Sequence, residues 1–104
     1  MRIRKDDMNN EDYMLIAKAS DALAHPARVA IFRYIYNKNL NREKVCNKDL
    51  VAAFDYSQST ISQHVSKLVI GGLIDVISSE TKNYYFINIG NLGKYLNSVR
   101  KLNS

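Results

Sequence analysis

One cysteine, one proline, four glycines and no tryptophan are the scarce residues of this 104-residue chain. A lone thiol cannot close an internal disulfide, so the fold has to rest on packing, and a reducing compartment, the cytoplasm, is the expected location. So little Pro and Gly excludes collagen-like and linker-rich architectures. No run approaches the roughly 18 apolar residues of a membrane span, and no membrane partner is expected. The opening MRIRKDDMNNEDY lacks the apolar core of a signal peptide, which leads to the expectation of a soluble, retained protein. Acid is also short. Ten Asp and Glu face fifteen Lys and Arg, and the resulting formal charge of +5 favours polyanionic partners. What is plentiful is ordinary: 46% hydrophobic and 24% charged residues describe one small globular domain, too small for a roomy catalytic cleft.

Residues 1–10 are polar and aperiodic and are expected to form a flexible start, with the folded domain spanning 11–104. Met14, Leu15, Ala19, Ala22 and Leu23 then recur at helical spacing from about Glu11 to Leu23. Pro26 suits the first turn of a second helix, whose Val29, Ala30, Ile31, Phe32, Tyr34, Ile35 and Tyr36 are apolar around most of the girth, the pattern of a central, buried element. The Asn-rich stretch Asn37 to Arg42 reads as a loop. A short helix is expected over Asn47–Phe54, with Asn47 as N-cap and Leu50 and Phe54 turned inward. After the tight connection Asp55-Tyr56-Ser57, Ser57 caps a helix over Gln58–Ile70, which Gly71-Gly72 ends. Leu73 to Ile77 and Tyr84 to Ile89 then read as strands of a hairpin with a loop of about six residues. A last amphipathic helix is expected over Asn91–Leu102.

The informative stretch is SQSTISQHVSKL, residues 57–68. On a helical wheel Ile61, Val65, Leu68 and Val69 share one face, and Ser59, Gln63 and Ser66 lie opposite, flanked by Thr60, Ser62 and Lys67. Gln58 falls off that outward face by angle, but reaches past the helix end from the first turn. Small hydroxyls, amides and one cation can donate to and accept from base edges without repelling phosphate. Between Asp55 and Asp75 there is no carboxylate, although a solvated helix face ordinarily mixes Glu with Lys. Serine also weakens a helix relative to Glu, Lys or Ala, so stability is sacrificed here for something else. The spacing of a short helix, a tight turn and this helix is that of a helix-turn-helix. The hairpin after it supplies a candidate wing, with Lys82 near the tip and Glu80 an anion unsuited to phosphate.

In AKASDALAHPARVAIFRYI, SQSTISQHVSKLVIGGLIDV and the strand YYFINI, the chain resembles the ArsR-type winged helix-turn-helix repressors over roughly residues 17–89. The most specific pieces are HPAR at 25–28 and the placement of Ser57, Ser62, His64 and Leu68. The resemblance implies a mainly α fold with a small β-hairpin, a winged helix-turn-helix dimerising through its N- and C-terminal helices. It also implies a homodimer whose helices 58–70 enter successive major grooves of a pseudo-palindromic operator, acting as a repressor of transcription. Double-stranded DNA contacts then fall to Gln58, Ser59, Thr60, Ser62, Gln63, Ser66, Lys67 and Lys82, and dimer contacts to Leu15, Leu92, Tyr95, Leu96 and Val99. One departure matters. Metal-sensing members carry Cys-x-Cys-Asp-Leu ahead of the recognition helix, where this chain has Cys46-Asn47-Lys48-Asp49-Leu50. A single thiol beside an ammonium is a poor chelate, so neither a metal nor another cofactor is expected, and the effector stays unidentified.

The same fold can also serve protein or RNA partners, and the acid-free polar helix favours DNA. For an enzyme, no nucleophile–base pair, carboxylate pair or phosphate loop is in view. Cys46, with Lys44 and Lys48 close in sequence, is open to a redox reading or to that of a small buried apolar residue. His64 lies at the edge of the apolar face and suits packing, and His25 suits a helix junction; a shared site for the two is not indicated. Arg28 and Arg33 are open to a DNA-backbone contact or to pairing with Asp12 or Asp21. Tyr34, Tyr36, Tyr84 and Tyr85 read as core rather than as stacking platforms.

Overall fold

The computed structural model describes residues 8–103. Its helices are α1 (Asn10–Ala22), α2 (Pro26–Leu40), α3 (Asn47–Phe54), α4 (Gln58–Ile70) and α5 (Ile89–Arg100), the last running into a 3-10 turn over Lys101–Asn103. Strands β1 (Val45–Cys46), β2 (Ile74–Ser79) and β3 (Lys82–Ile87) form one antiparallel sheet in the order β1-β3-β2. Helix α4 is the hub, packed against α1, α2, α3 and β2. Its Ile61, Val65 and Leu68 join Ile31 and Ile35 of α2, Leu50 of α3, Val45, Leu73 and Ile74 in one core. Burying each such side chain contributes about 1.5–3 kcal/mol.

The ends of the elements follow local chemistry. Asn9 caps α1 through a reciprocal pair, its Oδ1 accepting from the Asp12 amide while its own amide donates to Asp12, both at 3.0 Å. The first helix therefore starts at Asn10, inside the segment expected to be flexible; residues 1–7 of that segment lie outside the described residues. Asp12 also accepts from Ser98 Oγ at 2.6 Å and Lys101 Nζ at 3.2 Å, which ties α1 to α5. These partners, Ser98 first, hold its carboxyl below the usual carboxylate range.

Four expectations are corrected. The Asn-rich segment is helical through Leu40, because Asn39 Oδ1 accepts from the Ile87 amide at 2.9 Å and Lys38 pairs with Glu43 at 3.3 Å. Tertiary partners there outweigh asparagine's modest helix propensity. Helix α2 is not buried all round; Ala27, Ile31 and Ile35 face the core, whereas Val29 and Ala30 are exposed. The hairpin has no six-residue loop, since Ser78 pairs with Asn83 and Ser79 with Lys82, leaving Glu80 and Thr81 to turn the chain. Its outer half projects from the core, so no apolar alternation marks it as strand, and a Ser78–Asn83 side-chain hydrogen bond of 2.7 Å reinforces the ladder. Helix α5 begins two residues early, at Ile89, because Asn88 Oδ1 accepts from the Asn91 amide at 2.9 Å and caps it. The third strand, β1, is too short for alternation to reveal it.

Candidate nucleic-acid interface

Helix α4 takes its position from three local devices. Asp55 adopts a left-handed conformation, φ 54°, that turns the chain out of α3. Ser57 then caps α4, its Oγ accepting from the Thr60 amide at 3.2 Å and donating to Thr60 Oγ1 at 2.9 Å. At the other end Gly71 sits so close to Ala22 of α1 that an added Cβ would collide with the alanine methyl, and Gly72 has φ 78°. With Ile61, Val65 and Leu68 buried, the opposite face is turned to solvent: Gln58, Ser59, Ser62, Gln63, Ser66 and Lys67 are all exposed, and Thr60 is half-buried. Val69, expected on the apolar face, lies at its margin and is 36% exposed.

The start of α3, one edge of α4 and the wing enclose a cleft of about 290 Å³. Gln58 and Ser62 line it from α4, Asn47 and Lys48 from α3, and Lys82 and Tyr85 from β3. The fold thus brings Gln58, Ser62 and Lys82 to one place. Gln63, Ser66 and Lys67 lie elsewhere along the exposed helix. Lys48 and Asn47 were missing from the sequence-derived set; Lys48 occupies the position of the absent second thiol, and its cationic character was the available signal. Asn47 is also not the N-cap of α3, a place held by Cys46. Its Oδ1 instead accepts from Tyr85 Oη at 3.1 Å, while Nδ2 lies 3.4 Å from Ser62 Oγ and 3.5 Å from the Gln58 carbonyl.

Cys46 is buried, its amide donating to Asp49 at 2.9 Å and its thiol lying 3.4 Å from the same carboxylate oxygen. Lys44, its neighbour in sequence, stands over the Tyr84 ring at 5.2 Å. Among the described residues no group of three or more His, Cys, Asp or Glu could hold a metal ion. A larger depression of about 550 Å³ is lined by Tyr34, Lys38, Arg42, Glu43, Lys44, Val45 and Asp49, with no residue from α4 or the wing. Two of its cations are already engaged, Lys38 by Glu43 and Lys44 by Tyr84.

Behind α4 the two histidines do meet, against the expectation. Their rings stand 5.0 Å apart, and Tyr56 lies 6.2 Å from His64. His25 caps α2, its Nδ1 accepting from the Ala27 amide at 3.1 Å. Burial first, then the nearby His25 and Arg28, push the His64 pKa down. Arg28 pairs with neither the Asp12 nor the Asp21 carboxylate. It donates to the Ala22 and Asp21 carbonyls at 2.7 and 3.2 Å and closes the C-terminus of α1.

The model of bacterial regulatory proteins of the arsR family matches residues 25–76, from the His25 cap into the wing. The fold is similar to an ArsR-like transcriptional regulator from Rhodococcus sp. RHA1, with a TM-score of 0.72 at 19% identity over 89% of this chain and 83% of the other. It is also similar to the homodimeric winged helix-turn-helix DNA-binding domain of a possible ArsR-family transcriptional regulator from Mycobacterium bovis, with a TM-score of 0.69 at 19% identity over 97% and 89%. Reduced HlyU from Vibrio cholerae superposes with a TM-score of 0.61 at 19% identity over 88% and 90%. No curated protein matches the chain.

Proposed function

The chain belongs to the arsR family of bacterial regulatory proteins, and from that membership we propose that it binds operator DNA as a homodimer and represses transcription in the cytoplasm, without a catalytic role. One observation carries the reading: α4 buries Ile61, Val65 and Leu68 and exposes a carboxylate-free face of Ser, Gln and Lys beside a cleft that adds Lys48 and Lys82. In the proposed complex Gln58, Ser59, Thr60, Ser62, Gln63 and Ser66 lie against base edges in the major groove. Lys67 and Lys82, joined by Lys48, hold phosphates.

The dimer reading rests on apolar surface at α1 and α5. Met14 is 66%, Leu96 51% and Leu102 61% exposed, a concentration of apolar surface that favours a partner. Leu15, Leu92, Tyr95 and Val99 are half-buried. Leu92 and Tyr95 also pack on the core of their own chain, so their proposed dimer role is shared with α5 docking. No helix among the described residues is long and apolar enough to cross a membrane.

Selection from random duplexes followed by footprinting tests the reading. Two half-sites about one helical turn apart are expected. Gln63→Ala is expected to relax preference at one base position by about 1–3 kcal/mol. Binding without sequence preference, or with no dependence on salt, would overturn it and favour a protein or RNA partner.

A further inference from the structure

We infer that Asn47 is a positioning residue that holds the Ser62 hydroxyl toward the operator, so that the junction of α3, α4 and the wing reads one base of the DNA. The inference rests on the DNA-binding reading above and adds to it a residue.

The orientation of the Asn47 amide follows from its partners. The Gln58 carbonyl can only accept, so the Asn47 side-chain nitrogen must lie on that side, 3.5 Å away, with Ser62 Oγ at 3.4 Å. Oδ1 then faces Tyr85, whose hydroxyl must be the donor at 3.1 Å. Burial, with the Cys46 thiol nearby, pushes the Tyr85 phenol above its usual range, which keeps that proton in place. Ser62 Oγ therefore accepts from Asn47. Ser62 makes no other side-chain hydrogen bond among the described residues, and it is exposed where α4 borders the cleft. Its hydroxyl hydrogen and its second lone pair are left for a ligand, and both can reach a base edge in the major groove. Freed from Asn47, the side chain turns to other rotamers and the preference at the base facing it fades.

The test is a base-by-base binding profile on the selected operator for the parent chain, Ser62→Ala, Asn47→Ala, the double variant and Tyr85→Phe. Ser62→Ala and Asn47→Ala are expected to relax the same position by about three- to tenfold, as one net hydrogen bond allows. The double variant should relax it no further. Tyr85→Phe removes only the anchoring hydroxyl and should reproduce part of the effect, which keeps the test open if Asn47→Ala does not fold. A uniform loss across all sequences from Asn47→Ala, or a change at another position, would overturn the inference while leaving the DNA-binding reading standing. A parent chain with no sequence preference would overturn both.

Discussion

His25 and His64 stand 39 positions apart in the chain and 5.0 Å apart in space, and their meeting contributes to the acid response of this domain. Burial and the neighbouring His25 and Arg28 disfavour the charged form of His64, so its folded pKa lies below the 6.5 of an ordinary histidine. In the window below that value the unfolded chain takes up a proton that the folded chain refuses. Stability is therefore full above about pH 6.5 and is lost as pH falls toward the folded pKa. The expected outcome is a melting temperature lower at pH 5.5 than at pH 7.5, with a shallower fall in His64→Gln; equal slopes would refute the assignment. The caps Ser57 and Gly71-Gly72 were legible from sequence because capping is decided within a few residues. Asn47 was not, since the tyrosine that holds its side chain lies 38 residues away.

At the level of elements, α4 was readable as a whole: Ile61, Val65 and Leu68 mark the buried stripe, and their spacing alone states which face is free. The tight approach of Gly71 to α1 at its far end, by contrast, is announced by no pattern. Gly71→Ala is expected to force α1 and α4 apart and cost about 1–3 kcal/mol by overpacking, measured by denaturant unfolding; an unchanged midpoint would mean the junction yields freely. The wing shows the opposite case. Polar side chains on both faces concealed its outer strands, and backbone pairing carries it to Glu80 and Thr81. Pairing of Ser79 with Lys82 places the lysine at the tip, at the end of the ladder. Lys82→Ala should weaken binding to all duplexes alike and reduce the salt slope by about one unit, as loss of a phosphate contact requires. A sequence-selective effect would instead assign Lys82 to a base.

For the whole molecule the question is what covers α1 and α5. Within the chain Asp12, Ser98 and Lys101 lock the two helices together, and Ser20 and Tyr95 hydroxyls meet at 3.1 Å. Leu96 points away from these contacts, 51% exposed. Leu96→Glu should therefore leave the fold and its circular dichroism intact, shift the sedimentation of the protein toward monomer, and weaken operator binding together with it. A variant that remained dimeric would move the interface elsewhere.

By itself the sequence determined the helix-turn-helix spacing, the buried and free faces of α4, the caps at both its ends and the basic balance, because each depends on neighbours within a turn or two or on composition. Tertiary structure alone decided the third strand, the length of α2, the histidine contact and the Asn47 bridge between α3, α4 and the wing. Each depends on at least one partner 38 or more residues distant, whose hydrogen bonds and burial outweigh the local preferences of the residues concerned.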